Sequence, residues 1–306
     1  MRDRQRGTLL GLAVADALGA PIKFQLPGDF PEITDLRGGG PHGLKPGEWT
    51  DNTATALALA DSIIHAGWDL NDQARRYVEW WQKGKYTIRG RPLFVGTTTD
   101  HSLRRFLEIG DALATADRSE AASGNGSIMR LAPIPIHFVG LFADQLGQLI
   151  QKLVESSLPT HASPQCLSAC VYLGLVTCGL IRGIDRNQVL AADWPPLVEL
   201  KKLHPLHPEI EDVVGGSFRR KTATEVVGSG YVVSSLEAAL WAFARATDFR
   251  QAVLTAVNLG DDADTTGAVC GQLAGACWGE SGIPAPWREA LLRRDMLDQA
   301  LEGLIT

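Results

Sequence analysis

The sequence predicts an all-α protein of 306 residues that forms a single domain. Apolar residues recur with helical spacing over most of the chain, and the strict alternation that is typical of strands is scarce. No internal repeat or clear domain boundary is visible, so residues 1–306 are expected to share one core. The predicted helices span residues 4–20, 70–83, 101–117, 142–157, 163–182, 231–245, 248–258 and 287–303, and two more begin near residues 50 and 264.

The first predicted helix carries a small residue at every fourth position, and the helix that begins near residue 264 repeats this pattern. Glycine destabilises a helix interior by about 1 kcal/mol relative to alanine, so two such stripes indicate that helix backbones approach each other closely. We expect the two helices to lie near the centre of the fold, against each other. The stripes consist of Gly7, Gly11, Ala15 and Gly19, and of Gly267, Gly271, Gly275 and Gly279.

Two segments are predicted to be loops. Residues 21–49 are rich in glycine and proline, and residues 193–222 contain four prolines among mixed polar residues. Residues 38–43 match the GxGxxG pattern, but Pro41 interrupts the match and no Val/Ile strand precedes it. A dinucleotide site of the Rossmann type is therefore not expected.

The composition restricts the class of protein. The chain is 45% hydrophobic and 21% charged, which is typical of a soluble globular protein, and its net charge of −6 argues against binding to nucleic acid. No run of 18 apolar residues predicts a membrane span. The five cysteines are odd in number, form no CxxC pair and lie among small apolar residues. They predict reduced core residues of a cytoplasmic protein, which we expect to be a monomer.

The stretch from Asn258 to Gly267 contains three carboxylates and two hydroxyls in six positions. Asp264 or Thr265 could serve as the N-cap of the helix that follows. Helix capping alone would need only one acid, and three neighbouring carboxylates repel one another by more than the helix dipole returns. The spacing therefore favours a cation between these acids over simple capping.

A second polar cluster, Thr50-Asp51-Asn52-Thr53, opens the helix near residue 50. If the two helix N-termini meet, their carboxylate, amide and hydroxyl oxygens form one cage. Hard oxygen ligands select magnesium, manganese or calcium over zinc or copper. We expect the two clusters to converge on one pocket.

At these residues the sequence resembles the ADP-ribosylglycohydrolase family, which includes the dinitrogenase reductase-activating glycohydrolases and the ADP-ribosylarginine hydrolases. The resemblance extends over nearly the whole chain, with six motifs in the family's order. These motifs are residues 11–20 (GLAVADALGA), 44–51 (LKPGEWTD), 124–130 (GNGSIMR), Thr160-His161 before Pro164, Gly230-Tyr231-Val232, and 258–267 (NLGDDADTTG).

The resemblance implies an all-helical orthogonal bundle with a central metal site for one or two Mg²⁺ or Mn²⁺ ions. By this resemblance Asp51, Asp262 and Asp264 are the candidate catalytic residues. The implied metal ligands are Thr50, Asp51, Asn52, Asp262, Asp264 and Thr265. The implied reaction is hydrolysis of the glycosidic bond between ADP-ribose and a modified side chain, commonly arginine. A pair of metal ions could orient the ribose diol and activate a water there.

The resemblance also implies a set of substrate contacts. The glycine turn at residues 124–130 offers backbone N–H groups to a pyrophosphate or to the adenosine end. His161 is expected to contact phosphate or ribose, and Tyr231 to lie against adenosine; the alternatives are a core histidine and a buried aromatic residue. The full predicted set is Gly96, Gly124, Asn125, Gly126, Ser127, Met129, His161 and Tyr231. The expected partner is ADP-ribose or an ADP-ribosylated protein.

Three positions depart from the family's usual pattern. Lys23 and Asn52 stand where relatives usually have glutamate and aspartate, and Phe94 stands where arginine-specific relatives often have aspartate. Asparagine keeps one ligating oxygen but lacks a full negative charge, so weaker binding of at least one metal ion is expected. The departures leave three hypotheses open: a metal-dependent ADP-ribosyl hydrolase, a protein that binds ADP-ribose or a related nucleotide without turnover, and a hydrolase of another ribosyl substrate.

Overall fold

The computed structural model describes residues 1–305, and within them the only regular structure is helical, as predicted. Three single-turn 3₁₀ helices lie at Ala20–Ile22, Glu120–Ala122 and Glu280–Gly282, and two isolated bridges join Gly39 to Leu44 and Gly124 to Tyr231. The helices are α1 (Arg2–Gly19), α2 (Asp51–Ala66), α3 (Leu70–Lys83), α4 (Thr97–Ile109), α5 (Pro133–Phe138), α6 (Leu141–Asp144), α7 (Leu146–Ser157), α8 (Pro164–Ile181), α9 (Arg186–Val189), α10 (Pro195–Leu203), α11 (Pro208–Val214), α12 (Ser217–Arg220), α13 (Val232–Arg245), α14 (Phe249–Val257), α15 (Ala263–Trp278), α16 (Ala285–Ala290) and α17 (Arg294–Leu304).

Helices α1 and α15 form the buried centre of the fold, and their glycine stripes face each other. A Cβ atom added to Gly11 would collide with the carbonyl oxygen of Gly271, and one added to Gly19 would lie 2.5 Å from that of Ala263. The predicted contact between the two stripes is therefore confirmed. Because this packing leaves no room for side chains, it fixes the N-terminus of α15 beside the C-terminus of α1.

The close approach of these helices makes a stability prediction. A methyl group at Gly275 would overlap the carbonyl of Gly7, so Gly275→Ala is expected to destabilise the protein by about 1–3 kcal/mol despite alanine's better helix propensity. Chemical denaturation would measure this loss. Gly147→Ala, at an exposed position of α7 where nothing lies within 4 Å of the added methyl, is the control and is expected to gain up to about 1 kcal/mol. Equal stabilisation of both variants would contradict the prediction.

Several predicted segments need correction. Residues 193–222 are not a loop, because α10, α11 and α12 lie there. Pro195 and Pro208 begin helices at the first position, where the missing N–H has no partner to lose. The helix predicted at 101–117 is α4, which begins four residues earlier and ends at Ile109, and the one predicted at 287–303 is divided into α16 and α17. Arg293, at the division, has a left-handed φ of 51°.

The predicted N-cap of α15 was also wrong. The helix begins at Ala263 with Asp262 at the N-cap position, and no side chain caps it. The Asp262 carboxylate instead accepts hydrogen bonds from Lys23 and Asn125, which lie far away in the sequence. The acids at this helix start are therefore engaged in tertiary contacts.

Helix α8 supplies much of the core around the cysteines. It contains an 18-residue window with a mean hydropathy of 1.6, which by length and composition could cross a membrane, although the sequence analysis found no such run. In the fold 89% of that window is buried, which is the pattern of a core helix. All five cysteines are free thiols, four of them fully buried.

Candidate active site

The two polar clusters converge, although more than 200 residues separate them. The Thr50 hydroxyl lies 3.3 Å from Asp264 Oδ2, and the Thr265 hydroxyl donates to Asn52 Oδ1 at 3.1 Å. Both clusters lie at helix N-termini, of α2 and α15, which are packed on α1. The predicted pocket of oxygen donors is thus present in the fold.

Asp16 of α1 organises the first cluster, and the sequence analysis missed it. Its buried carboxylate accepts from the backbone N–H groups of Thr50 and Thr53 at 3.0 Å and from their hydroxyls at 2.7 and 2.6 Å. It also accepts from Asn52 Nδ2 at 3.2 Å. Asp16 therefore accepts hydrogen bonds from the free backbone N–H groups at the start of α2, where no side chain of the helix itself acts as a cap. One signal was available: it is the only charged residue between positions 7 and 22.

Lys23 reaches into the second cluster. Its ammonium Nζ lies 2.5 Å from Asp262 Oδ1 and 2.7 Å from Asp264 Oδ1, and its side chain is 3% exposed. The backbone beside it is fixed by two hydrogen bonds: Phe24 N–H donates to Asp261 O at 2.6 Å, and Asp261 N–H donates to Gln25 O at 2.7 Å. Both Phe24 and Asp261 have left-handed φ angles, 67° and 53°, which are costly for non-glycine residues. The sequence marks Lys23 as a departure from the family pattern, but its position between the acids was not predicted.

Burial and mutual repulsion shift the pKa values of this cluster. Burial is the largest influence on Asp51 and Asp264 and raises their pKa values to about 6 and about 8. Burial also acts to raise the pKa of Asp262, but Lys23 and the Asn125 amide hold it below its usual range. For Lys23, burial acts to lower the pKa, and the carboxylates of Asp264 and Asp262 outweigh it and raise that pKa. The ammonium is thus held in its charged form by the acids around it.

A cavity of about 270 Å³ opens beside the cluster. It is large enough for part of a nucleotide-sized ligand. Most predicted site residues contribute to its wall: Asp51, Asp262, Thr265, Gly96, Gly124, Asn125, Gly126, Met129 and His161. Thr50, Asn52 and Asp264 are buried behind this wall, and the wall also includes Lys23 and both Phe24 and Phe94.

The glycine turn forms part of the cavity wall and contacts one of the acids. Gly126 is required there, because a Cβ atom would lie 2.6 Å from His161 Cε1. The backbone N–H groups of Gly126 and Ser127 have no hydrogen-bond acceptor within residues 1–305, so they could donate to an anionic ligand. Asn125, predicted as a substrate contact, instead donates its side-chain N–H to Asp262 Oδ2 at 2.6 Å and orients that carboxylate.

His161 lies under this turn in a defined tautomer. The buried Arg130 guanidinium donates to Thr160 Oγ1 at 2.6 Å. His161 Nδ1, at 2.8 Å, is the only acceptor for the Thr160 hydroxyl proton among the described residues, so the hydroxyl donates to it. Nδ1 is then an acceptor, and Nε2, which lies beside the glycine turn, carries the proton. Burial, together with the Arg130 charge, lowers the pKa of His161 to about 3. The imidazole is therefore a neutral donor at neutral pH.

This lowered pKa predicts a pH dependence of stability. Between pH 3 and 6.5 the unfolded chain binds a proton at His161 that the folded protein does not, so His161 destabilises the fold as the pH falls. From pH 7 to pH 5 the wild type is expected to lose about 2 kcal/mol more than His161→Gln. Denaturant titrations of both proteins at the two pH values would measure the difference. Parallel losses would contradict a buried neutral imidazole.

Two predicted contacts lie outside the cavity wall. Tyr231 is partly exposed, packs against the edge of the core and donates its hydroxyl proton to Glu209 Oε2 at 2.6 Å, so it does not line the cavity. The Ser127 hydroxyl is buried with no hydrogen-bond partner in the described chain. The structure therefore does not place either side chain against a ligand in this cavity.

Comparison with known proteins gives a consistent result. The family model described as ADP-ribosylglycohydrolase matches residues 1–306. The chain is 36% identical to the ADP-ribosylarginine hydrolase Tri1 of Serratia proteamaculans, covering 99% of this chain and 79% of that protein, and 37% identical to that of Pseudomonas putida, covering 94% and 74%. It is 33% identical to the ADP-ribosyl-[dinitrogen reductase] glycohydrolase of Rhodospirillum rubrum, covering 95% and 91%. A chain of a solved ADP-ribosylglycohydrolase-related protein complex superposes with a TM-score of 0.84 at 40% identity, covering 99% of this chain and 97% of that one.

Proposed function

Because the chain belongs to the ADP-ribosylglycohydrolase family, we propose that it hydrolyses the bond between ADP-ribose and a modified arginine side chain. The relatives at 36% and 37% identity are named ADP-ribosylarginine hydrolases, and their likeness extends over 94% or more of this chain. Their names support an arginine linkage more than any other. The substrate is then an ADP-ribosylated protein.

The single observation that carries this proposal is that one cavity is lined by both carboxylates and N–H donors. Asp51 and Asp262 contribute the carboxylates, and the glycine turn and His161 contribute the donors. A diphosphate needs donors and an anomeric carbon needs nearby carboxylates, so this lining suits an ADP-ribosyl group.

Metal dependence is part of the proposal, and the donor set fits one hard cation better than two. Asp51 Oδ1 is buried with no hydrogen-bond partner, as expected of an oxygen that awaits a cation or a substrate proton. Across residues 1–305 no three acidic, histidine or cysteine side chains are grouped around one point, so hydroxyl oxygens would be needed to complete a site. Thr50, Asp51, Asp264 and Thr265 would hold the ion. When bound, such an ion supplies Lewis-acid activation of water.

The protein's own residues would carry the remaining chemistry. The glycine turn and His161 bind the diphosphate and hold the anomeric carbon near the acids. Asp51 accepts a proton from the attacking water, while the water oxygen bonds to the anomeric carbon and the C–N bond to the guanidine breaks. The departing guanidine nitrogen takes up the proton. The products are ADP-ribose and unmodified arginine.

Release of ADP-ribose from arginine-modified protein would test the proposal. The wild type is expected to release it with Mg²⁺ or Mn²⁺, and much less with a chelator. Serine-linked and nucleic-acid-linked ADP-ribose serve as comparison substrates. No release from any substrate would contradict the proposal.

A second candidate function has one supporting observation. Lys23 neutralises part of the acidic cluster, and Asn52 fills its other side with an amide that donates to Thr50 and Asp264. Such a neutralised cluster suits a protein that binds ADP-ribose without turnover. Calorimetry separates the two functions, since tight ADP-ribose binding without release would support the binder.

A further inference from the structure

Within the acidic cluster a lysine ammonium occupies the place of a bridging cation. Lys23 Nζ contacts one oxygen of Asp262 at 2.5 Å and one oxygen of Asp264 at 2.7 Å. Magnesium binds carboxylate oxygens at 2.0–2.1 Å, so an ion shared by the same two oxygens would need the space that the ammonium fills. A divalent ion and the ammonium would also repel each other at this distance.

The lysine is held in this position by both its backbone and its surroundings. The Phe24 N–H group and the Gln25 carbonyl oxygen both form hydrogen bonds with the backbone of Asp261. These two bonds fix the chain that directly follows Lys23. The rings of Phe24 and Phe94 each lie 5.0 Å from Nζ and 5.5 Å from each other. Two aromatic faces that stabilise a cation therefore cover the ammonium. A residue at position 94 with a carboxylate would not give this cover.

The charges support the same assignment. Asp262 and Asp264 are 6% and 0% exposed, and a buried carboxylate pair without a cation would be strongly disfavoured. The side chain of Lys23 is the only lysine or arginine group within salt-bridge distance of either acid in the described residues. It is therefore the internal counterion of this pair.

From this geometry we propose that Lys23 is a permanent cation of the site, which replaces one divalent ion and limits the protein to at most one. The proposal deepens the proposed hydrolase function, because it assigns the composition of that same site. It concerns the site's capacity for ions, so it can be tested without any turnover.

Titration with Mn²⁺ tests this limit, with the loss of the free-ion electron paramagnetic resonance signal as the readout. The wild type is expected to bind no more than one Mn²⁺ per chain. Lys23→Glu is expected to bind two, with a spectrum broadened by coupling between neighbouring ions. Lys83→Glu makes the same change of charge at an exposed position and is expected to match the wild type.

Lys23→Gln is the second variant, because it removes the charge without adding a further carboxylate that could prevent folding in the absence of metal. It is also expected to bind one more Mn²⁺ than the wild type. Two coupled ions in the wild type, or no gain in either folded Lys23 variant, would overturn the proposal. Failure of ADP-ribose release with the expected stoichiometries would contradict the hydrolase function and leave the role of Lys23 intact.

Discussion

Asp16→Ala is expected to destabilise the protein by about 3–5 kcal/mol. The substitution leaves two buried backbone N–H groups at the start of α2 and the Thr53 hydroxyl without an acceptor. It leaves the Thr50 hydroxyl only its longer contact to Asp264. Each unsatisfied buried donor costs about 1–3 kcal/mol, although relaxation makes the losses less than additive. A lower denaturation midpoint with an unchanged slope would report this loss.

Asp69→Ala is the matched control for Asp16→Ala. Asp69 also serves a helix start, since its carboxylate accepts from the backbone N–H groups of Asn71 and Asp72, but it does so locally and at the surface. Its loss is expected to cost about 1 kcal/mol. If the Asp16 variant lost no more than this, the buried carboxylate would not be the support of α2.

The comparison of these two acids explains which parts of the fold could be predicted. Helix α3 was predicted at residues 70–83 and is found there. Neighbouring residues determine its limits, since Asp69 caps its start and Gly84 ends it with a left-handed φ of 67°. Asp16 acts on residues more than 30 positions away. Local patterns therefore located the helices but could not reveal what supports the N-terminus of α2.

The same limit applies to the candidate site. Convergence of the clusters at residues 50 and 264 was predicted, because oxygen-rich segments at two helix starts and two glycine stripes pointed to one centre. The position of Lys23 was not, since its partners lie 239 and 241 residues away. The N-cap of α15 was misplaced for a related reason: tertiary partners of Asp262 take precedence over local capping.

The proline-rich segment shows the opposite error, in which a local rule was read too strongly. Proline ends a helix when it lies inside one, but it is favoured at the first position, where Pro195 and Pro208 lie. The intervening residues carry apolar side chains such as Leu197 and Ile210 that are fully buried. A count of prolines cannot distinguish these two uses.

Asp51→Asn is expected to lower kcat for ADP-ribose release by about 10²- to 10⁴-fold. Asparagine has nearly the same size and can still fill the buried position, but it cannot accept a proton from water. The affinity for ADP-ribose is expected to change less than about tenfold, or 1.4 kcal/mol, because the glycine turn and His161 would still supply the contacts to the diphosphate. Single-turnover kinetics and calorimetry would measure the two effects separately.

Asp100→Asn provides the matched control for this prediction. Asp100 lies in the first turn of α4 near the cavity, but its carboxylate pairs with Arg104 and does not line the cavity. This variant is expected to retain wild-type kcat. If Asp51→Asn kept more than about a tenth of the wild-type rate, proton transfer would have to involve another acid.

Asp262 also lines the cavity, but both of its oxygens already accept hydrogen bonds from Lys23 and Asn125. No described residue donates a hydrogen bond to the Asp51 carboxylate, so Asp51 is the acid of this pair that is available to water without breaking an existing contact.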